Sequence, residues 1–457
     1  MIKSTHRKNN LWMLKRLGKR FTSESRLKGE INRMQFFIRF LEEKFLPVAG
    51  KLSANRYLMS LRDGLVLSMP LMIVGSVFII IAELPIPAYQ TFMAATFGAG
   101  WSWWNWGAIW PATAGLVTLF AVFGIAYTLS KTYGKEPLPA GALAVSAYFI
   151  LLHQTADGGF SAGDLGAQGL FAGMILAVVV AEIYNFIIEK KIVITMPENV
   201  PPSIARSFTA LVPAAVIIPL FVIIRFIFMQ TDYLTVNNFI FTVLQTPLTG
   251  IGTSLPGTLI SVMFVQMFWS VGIHGASIVG SVMGPIWQAA ALDNLAMYQA
   301  GSGTYRVVTQ QFIDIFIYVG GSGATLSLAF IMAFLSKSKQ IKYLGRLSLG
   351  PGLFNINETI TFGLPIVMNP MLIIPFFIAP LLAAIVTFFA MSTGLVTPPV
   401  GIAVPWTTPV LFGGYLSTGG DFKAVLLQVV NFVLTGLVYF PFISTWDKKK
   451  FAEESEG

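Results

Sequence analysis

Two very long stretches of the sequence carry no charged side chain. Residues 233–292 and 359–420 contain no Asp, Glu, Lys or Arg in 60 and 62 consecutive positions. A membrane-spanning helix needs only about 20 apolar residues, so each stretch is too long for one crossing. Both are interrupted by proline and glycine, and interrupted backbone at membrane depth is tolerated only inside protein or beside a wet cavity. We therefore predict discontinuous helices and re-entrant hairpins around a midplane site. Proline-kinked full spans without a site are the alternative.

The composition of the whole chain also indicates a membrane protein. Of its 457 residues, 55% are hydrophobic and 11% are charged, against about 25% charged in a typical soluble domain. This excludes a disordered chain and an ordinary soluble enzyme. The absence of cysteine excludes thiolate metal sites, and three histidines argue against a multi-histidine zinc site. We predict an all-α polytopic membrane protein with about ten transmembrane helices and neither metal nor cofactor.

Basic residues are concentrated in the N-terminal arm, residues 1–33. This arm has ten Lys or Arg and two Asp or Glu, a balance of +8, so the remaining residues contribute only +1 of the net +9. A cytoplasmic arm attracted to anionic lipid explains this better than nucleic-acid binding, and no nucleic-acid partner is expected. Met34 as the true start of the protein is an open alternative.

Lysine and arginine also indicate on which side each loop lies. They flank several apolar runs, whereas the segments 85–107 and 153–166 have none. By the positive-inside rule both termini face the cytoplasm. The expected parts are the arm 1–33, an N-terminal transmembrane half 34–232, a C-terminal transmembrane half 233–446 with the hairpins and the site, and a cytoplasmic tail 447–457.

Glu358 is the one acidic or basic residue between Leu347 and Gly420, where it follows Asn357 in a run rich in turn-forming residues. An ionised side chain at bilayer depth costs about 2.5–3.5 kcal/mol on insertion scales, so it is a functional candidate. Carboxylate and amide groups bind sugar hydroxyls, and a carboxylate can accept a hydroxyl proton. The alternative is a structural glutamate that caps a helix.

His274 is the only histidine in the first charge-free stretch, and glycines flank its short segment. Two solitary polar groups in two broken stretches favour one shared site, although a packing histidine is the alternative. Trp269 and Trp406 are candidates for stacking on sugar rings, and either could instead be a packing residue. By contrast, the polar link with Asp293, Arg306 and Asp314 is expected to be solvated, and the tryptophans in 101–106 form an interfacial belt or a sugar-collecting vestibule.

Three motifs carry a resemblance to a known family. The run GLFNINETITFGLPIVMNP at 352–370 closely resembles the signature of the sugar-permease (IIC) subunit of bacterial phosphotransferase systems, in the lactose/cellobiose/diacetylchitobiose branch. MPENVPPSIARSFTALVP at 196–213 and GIHG at 272–275 are similar to two further segments of that family. The likeness runs from about residue 34 to 450. Thr359 departs from the family, which usually has proline after the motif glutamate.

The resemblance implies a homodimer in the bacterial inner (cytoplasmic) membrane, with re-entrant hairpins, a cytoplasmic amphipathic helix and a dimerisation region within 34–232. It implies that a β-linked disaccharide, with diacetylchitobiose or cellobiose favoured, is phosphorylated on its 6-hydroxyl by a cytosolic IIB partner with a phosphorylated cysteine, which IIA serves. Glu358 then binds the hydroxyl and acts as base, His274 binds sugar, and Asn357 supports Glu358. Phosphoryl transfer would require the separate IIB protein, because this chain has no cysteine.

Two other functions remain open. An ion-coupled sugar transporter without phosphorylation is expected to have paired intramembrane acids or Arg–acid pairs, whereas this carboxylate is solitary in its stretch. A membrane receptor would bind the sugar without moving it. The sequence does not determine which disaccharide is bound.

Overall fold

The computed structural model describes residues 43–44, 47, 51–52, 54–82, 87–155, 158–194, 208–364, 366–367 and 369–456. The basic arm 1–33 and most of the 196–213 motif lie outside these residues. The described chain is almost entirely helical, with one isolated β-bridge between Gln154 and Phe160.

Among its described residues, the first half contains nine α-helices and a few short irregular turns. The helices are α1 Arg56–Val66, α2 Met69–Ala82, α3 Pro87–Phe97, α4 Trp110–Ala112, α5 Val117–Thr132, α6 Pro137–Leu151, α7 Ala162–Leu165, α8 Leu170–Glu189 and α9 Leu211–Met229. The side chain of Asn55 caps α1 by accepting hydrogen bonds from Tyr57 N and Leu58 N. Helices α1 and α5 pack backbone against backbone, because a Cβ on Gly64 would lie 2.5 Å from Ile125 N. Small residues permit such close helix contact in membranes.

The second half contains the two charge-free stretches and is more broken. Its helices are α10 Val236–Ile240, α11 Thr246–Gly252, α12 Leu255–Ser270, α13 Gly275–Gln299, α14 Leu326–Leu335, α15 Lys339–Leu353, α16 Glu358–Gly363, α17 Pro370–Ser392, α18 Phe412–Ser417 and α19 Phe422–Glu456. The helical segment from α10 to α11 meets α12 at a bend of 73°. The first charge-free stretch therefore folds into interrupted helices.

Six helical segments among the described residues are long and apolar enough to cross a membrane. They are Arg56–Ala82, Gly107–Thr132, Ala167–Glu189, Leu211–Met229, Met371–Ser392 and Phe422–Ser455. The bent pair would make a seventh, and two shorter apolar helices are Pro137–Leu151 and Leu326–Leu335. The all-α polytopic class is confirmed. Six or seven segments of the described chain are long enough to span a membrane, fewer than the ten transmembrane helices that we predicted. The interrupted stretches form several shorter helices instead.

Helices α14 and α15 form an antiparallel hairpin whose tip is the turn between Leu335 and Lys339. The two helices are in close contact, since a Cβ on Gly345 would lie 2.4 Å from Ala333 N. The open end of the hairpin leads on one side to the loop 318–325 and on the other to Glu358. The hairpin thus brings two distant parts of the sequence to one place.

Helix α19 binds the start of this hairpin and the segment before it through polar side chains. Gln428 Nε2 donates to Ile315 O (2.9 Å), Asn431 Nδ2 to Phe316 O (2.9 Å) and Tyr439 Oη to Gly323 O (2.7 Å), while the hydroxyls of Thr435 and Ser327 are 2.9 Å apart. Buried polar groups need such partners. The contacts hold the segment 312–327 against α19.

Candidate functional site

A cavity of about 380 Å³ lies where the interrupted elements meet. Its wall comes from the end of α12, the start of α13, the open end of the hairpin and the loop before α18. All five residues predicted from the sequence line it: Trp269, His274, Asn357, Glu358 and Trp406. They are therefore neighbours in space, although their individual roles remain predictions.

Glu358 is the first residue of α16, and its carboxylate faces the cavity. Its Oε1 is 3.9 Å from His274 Nε2. Its Oε2 is buried and has no hydrogen-bond partner among the described residues. The N-cap of α16 is Asn357, and no side chain caps that helix. Glu358 is thus an acceptor left open at the cavity wall rather than a helix cap.

His274 is the N-cap of α13. Its Nδ1 accepts a hydrogen bond from Ser277 N at 3.2 Å and lies 2.9 Å from Ser277 Oγ. Since Nδ1 accepts the backbone hydrogen bond, a neutral ring carries its proton on Nε2, which faces Glu358. Gly275 is required where α13 passes α12, because a Cβ there would lie 2.0 Å from Val265 O. The ring is therefore both a helix cap and a donor toward the cavity.

The two tryptophans contribute in different ways. Trp269 is only 1% exposed, and its ring centroid lies 4.6 Å from that of His274. Its Nε1 is buried without a hydrogen-bond partner in the described part of the chain. Trp406 is 47% exposed. Trp406 therefore offers an accessible ring to a ligand, whereas Trp269 packs behind His274.

Two asparagines connect the segments that form the wall. Asn355 has φ +60°, a conformation that asparagine tolerates better than most residues. Its Nδ2 donates to Trp406 O at 2.7 Å and its Oδ1 accepts from Gly320 N at 2.8 Å. Asn357 Nδ2 donates to Ser322 O. The predicted support of Glu358 by Asn357 would therefore act through the backbone, because the Asn357 amide is bonded to the loop instead.

Another part of the cavity wall was not predicted from the sequence. Gln310, Asp314 and Tyr318 all line it, and Gln310 Nε2 donates to Asp314 Oδ2 at 2.9 Å. The expectation that Asp314 lies in a solvated link was wrong, because the bonds from α19 hold its segment beside the cavity. The available signal was an acid within the otherwise apolar run 312–319, four residues after a glutamine.

Asp293 and Arg306, from the same predicted link, lie elsewhere. Arg306 Nε is 3.2 Å from Asp293 Oδ2, and neither residue lines the 380 Å³ cavity. The described residues contain no group of three or more His, Cys, Asp or Glu that could hold a metal ion. The pairing of Glu358 with His274 is thus the chemical feature of this cavity.

Two larger cavities lack that feature. One of about 410 Å³ is lined by Trp110, Phe160 and Asp293, among others, and one of about 610 Å³ is lined mainly by apolar side chains of α12 and α13. Trp101 and Trp104 contact each other, with ring centroids 6.1 Å apart, and line none of these three cavities. These two tryptophans therefore give the vestibule interpretation no support.

The arrangement offers complementary groups to a polyhydroxylated ligand. The Glu358 carboxylate can accept a hydrogen bond, while His274 Nε2 can donate one. Polar atoms that are buried without partners are costly, so a ligand that satisfies them gains affinity. The volume falls within the range of about 300–1,000 Å³ typical of small-molecule sites.

Comparisons with known proteins agree in sequence and in structure. A family model described as "Phosphotransferase system, EIIC" matches residues 62–380. The chain is 46% identical to the cellobiose-specific EIIC component of Geobacillus stearothermophilus, over 92% of this chain and 96% of that protein. It is 45% identical to the lichenan permease IIC component of Bacillus subtilis, over 91% and 95%.

A solved structure is similarly close. It is the crystal structure of the transporter ChbC, the IIC component from the N,N'-diacetylchitobiose-specific phosphotransferase system. The two share 47% sequence identity with a TM-score of 0.88, and the match covers 91% of this chain and 99% of ChbC. A similarity of this extent concerns the whole membrane body rather than a single motif.

Proposed function

The chain belongs to the phosphotransferase system EIIC family, and we propose that it translocates a β-linked disaccharide and presents the sugar's 6-hydroxyl to a phosphorylated IIB partner. Diacetylchitobiose and cellobiose are the favoured sugars. The names of relatives support this choice, because one is described as cellobiose-specific and another belongs to a diacetylchitobiose-specific system. IIA would supply the phosphoryl group to IIB.

The observation that carries the proposal is the open carboxylate of Glu358. One of its oxygens faces His274 at 3.9 Å and the other has no partner among the described residues. A sugar hydroxyl placed between Glu358 and His274 would donate a hydrogen bond to the carboxylate and accept one from the imidazole. This geometry suits a general base, which must lie within hydrogen-bond reach of the proton that it removes.

The proposed transfer step is chemically balanced. The 6-hydroxyl oxygen attacks the phosphorus of a phosphocysteine on IIB, its proton passes to Glu358, and the P–S bond breaks to leave a thiolate on IIB. The phosphorylated sugar then leaves on the cytoplasmic side. None of the 457 residues is cysteine, so this chain has no phosphocysteine of its own. The residues that line the cavity would hold and orient the sugar, while IIB supplies the phosphoryl group. Phosphoryl transfer depends mostly on such positioning and on charge stabilisation.

The proposed arrangement in the membrane follows the charge distribution. Both termini would lie in the bacterial cytoplasm, because the basic loops share one side. Residues 34–232 would form the dimerisation half of a homodimer and residues 233–446 the sugar-binding half. Only 17% of the apolar part of helix α9 is buried inside the protein. This supports a lipid-facing or dimer-facing role for part of the first half. Helix α19 continues through most of the proposed tail 447–457.

Uptake into vesicles tests the proposal. The purified chain is placed in proteoliposomes with labelled cellobiose, diacetylchitobiose or lactose, and phosphorylated IIB is added on the side of the basic loops. We expect phosphosugar to accumulate on the side of the basic loops, and only when phosphorylated IIB is present there. Unmodified sugar that accumulates without IIB would contradict the proposal.

One observation favours the ion-coupled alternative. Asp314 lines the same cavity as Glu358, so the carboxylate that is solitary in its sequence stretch is not solitary in space. Paired intramembrane acids are a feature of proton-coupled carriers. Loss of uptake on addition of a proton ionophore, in vesicles without IIB, would support this second function.

A further inference from the structure

Asp447 of α19 binds the tip of the α14–α15 hairpin. Its Oδ2 accepts a hydrogen bond from Lys337 N at 2.8 Å, and its Oδ1 accepts one from Ser338 N at 2.9 Å. Asp447 is 6% exposed. Both carboxylate oxygens are thus used by backbone groups about 110 residues earlier in the chain.

Glu454, two turns further along α19, binds the next residues of the tip. Its Oε1 accepts from Ser338 Oγ at 2.6 Å and from Gln340 N at 3.0 Å, and its Oε2 accepts from Lys339 N at 2.9 Å. The first N–H groups of a helix have no partner within that helix. A carboxylate there also interacts favourably with the helix dipole. Together, Asp447 and Glu454 form what we call the tip clamp.

The hairpin can transmit the position of its tip to the cavity. Its two helices pack closely at Gly345 and Ala333, where a Cβ on the glycine would lie 2.4 Å from Ala333 N. At the open end, Asn357 is bonded to Ser322 and is followed directly by Glu358. A closely packed pair of helices behaves as one body, since packed interiors transmit displacement rather than absorb it.

We propose that Asp447 and Glu454 are positioning residues that set the place of the Glu358 carboxylate relative to His274. They touch neither the cavity nor a ligand, and they act through the α14–α15 hairpin. This inference rests on the proposed function, in which Glu358 binds the sugar hydroxyl. It assigns a role in sugar binding to the C-terminal end of a helix that sequence analysis placed in a cytoplasmic tail.

The chain provides a matched control next to the clamp. Glu453 precedes Glu454 but forms an ion pair with Lys450 at 2.8 Å, and its carboxylate makes none of the tip contacts. Glu453→Ala removes the same charge from the same turn of α19 as Glu454→Ala does. A difference between these two variants therefore reports the hairpin contacts rather than the net charge.

A double-mutant cycle tests the proposal by titration calorimetry of the disaccharide with the full chain in nanodiscs. Glu454→Ala removes three hydrogen bonds from the tip, and we expect it to raise the sugar Kd about fivefold in the wild-type background. In a Glu358→Gln background the same change should raise Kd less than about twofold, because residues that act through one another are not additive. Glu453→Ala should change neither value.

Equal losses of affinity in the two backgrounds would overturn the clamp, since they would indicate a general structural effect. An unchanged Kd in Glu454→Ala would overturn it as well. Asp447→Asn, which keeps one acceptor oxygen, repeats the test if the alanine variant does not fold. Glu358→Asp replaces the glutamine background if binding there is too weak to measure. If Glu358→Gln leaves the affinity unchanged, the Glu358 carboxylate does not bind the sugar as proposed, and that part of the proposed function fails instead of the clamp.

Discussion

At the scale of single residues, the cavity separates two carboxylates by their hydrogen bonds. Asp314 accepts from Gln310, whereas one oxygen of Glu358 has no partner among the described residues. A general base must lie within hydrogen-bond reach of the proton that it removes, so a carboxylate oxygen without a partner is the better placed acceptor. We therefore predict that Glu358 is the general base and that Asp314 is a sugar ligand.

This difference predicts the outcome of neutralising each acid. Glu358→Gln keeps the shape of the side chain but cannot take a proton, so IIB-dependent phosphorylation should fall by about 10²–10⁴-fold. Asp314→Asn is the matched control and should lose less than about tenfold. Sugar phosphorylation in proteoliposomes measures both. Wild-type rates in Glu358→Gln, or a larger loss in Asp314→Asn, would remove the base assignment.

His274 has two roles that substitutions can separate. His274→Ala removes both the donor toward Glu358 and the cap of α13, whereas asparagine is a good N-cap residue that keeps the cap but ends short of the position of Nε2. We expect both variants to weaken sugar binding about tenfold by calorimetry, as loss of a hydrogen bond to a charged group does. Only His274→Ala should lower the melting temperature. Unchanged affinity in both would exclude a ligand role.

At the scale of structural elements, the glycine-rich loop before α14 brings the hairpin against the site. Gly320, Gly321 and Gly323 all have positive φ between +87° and +92°, which glycine adopts without steric cost. A Cβ on Gly321 would lie 2.7 Å from Asn357 Cγ and 2.8 Å from Asn355 O. The loop thus needs glycine for its backbone conformation and also for space beside the two asparagines.

A pair of glycine substitutions separates these two requirements. Gly321→Ala adds backbone strain and displaces Asn357, which precedes Glu358, so sugar affinity should fall by about tenfold or more. Gly394→Ala adds strain at φ +75° with nothing within 4 Å, so it should lower stability by about 1 kcal/mol and leave affinity unchanged. Calorimetry and thermal unfolding measure the two effects. An equal loss of affinity in both variants would contradict the role of the loop.

The same elements explain what the sequence could and could not predict. Glu358 and His274 were predictable because each is a lone polar group in a long charge-free stretch, and such groups are costly in a membrane. Asp314 was not predictable in the same way, since charged neighbours in sequence made its segment resemble a solvated link. Its place depends on hydrogen bonds from Gln428 and Asn431 on α19, more than 110 residues later. Such long-range pairs leave no local pattern.

At the scale of the whole molecule, α19 connects the membrane body to one surface. Its 35 residues correspond to about 52 Å of helix at 1.5 Å per residue, well beyond the roughly 30 Å of a bilayer core. The end with Asp447 and Glu454 therefore extends past the hydrocarbon region, beside Lys448–Lys450. The hairpin tip that these acids bind is likewise rich in lysine, so the basic residues of these two segments lie on the same face of the protein.

The concentration of basic residues on one face predicts how the protein is oriented. Because the chain has no cysteine, a single introduced thiol reports its own side of the membrane without background. Lys448→Cys lies in the exposed basic end of α19, and Gly100→Cys lies in a loop without Lys or Arg where a side chain meets nothing within 4 Å. By the positive-inside rule, a membrane-impermeant maleimide should label Lys448→Cys only in inside-out vesicles and Gly100→Cys only in right-side-out vesicles. The unsubstituted chain should not react in either. Labelling of both positions from the same side would show that the loops are assigned wrongly, and the site for IIB would then have to be sought on the opposite face.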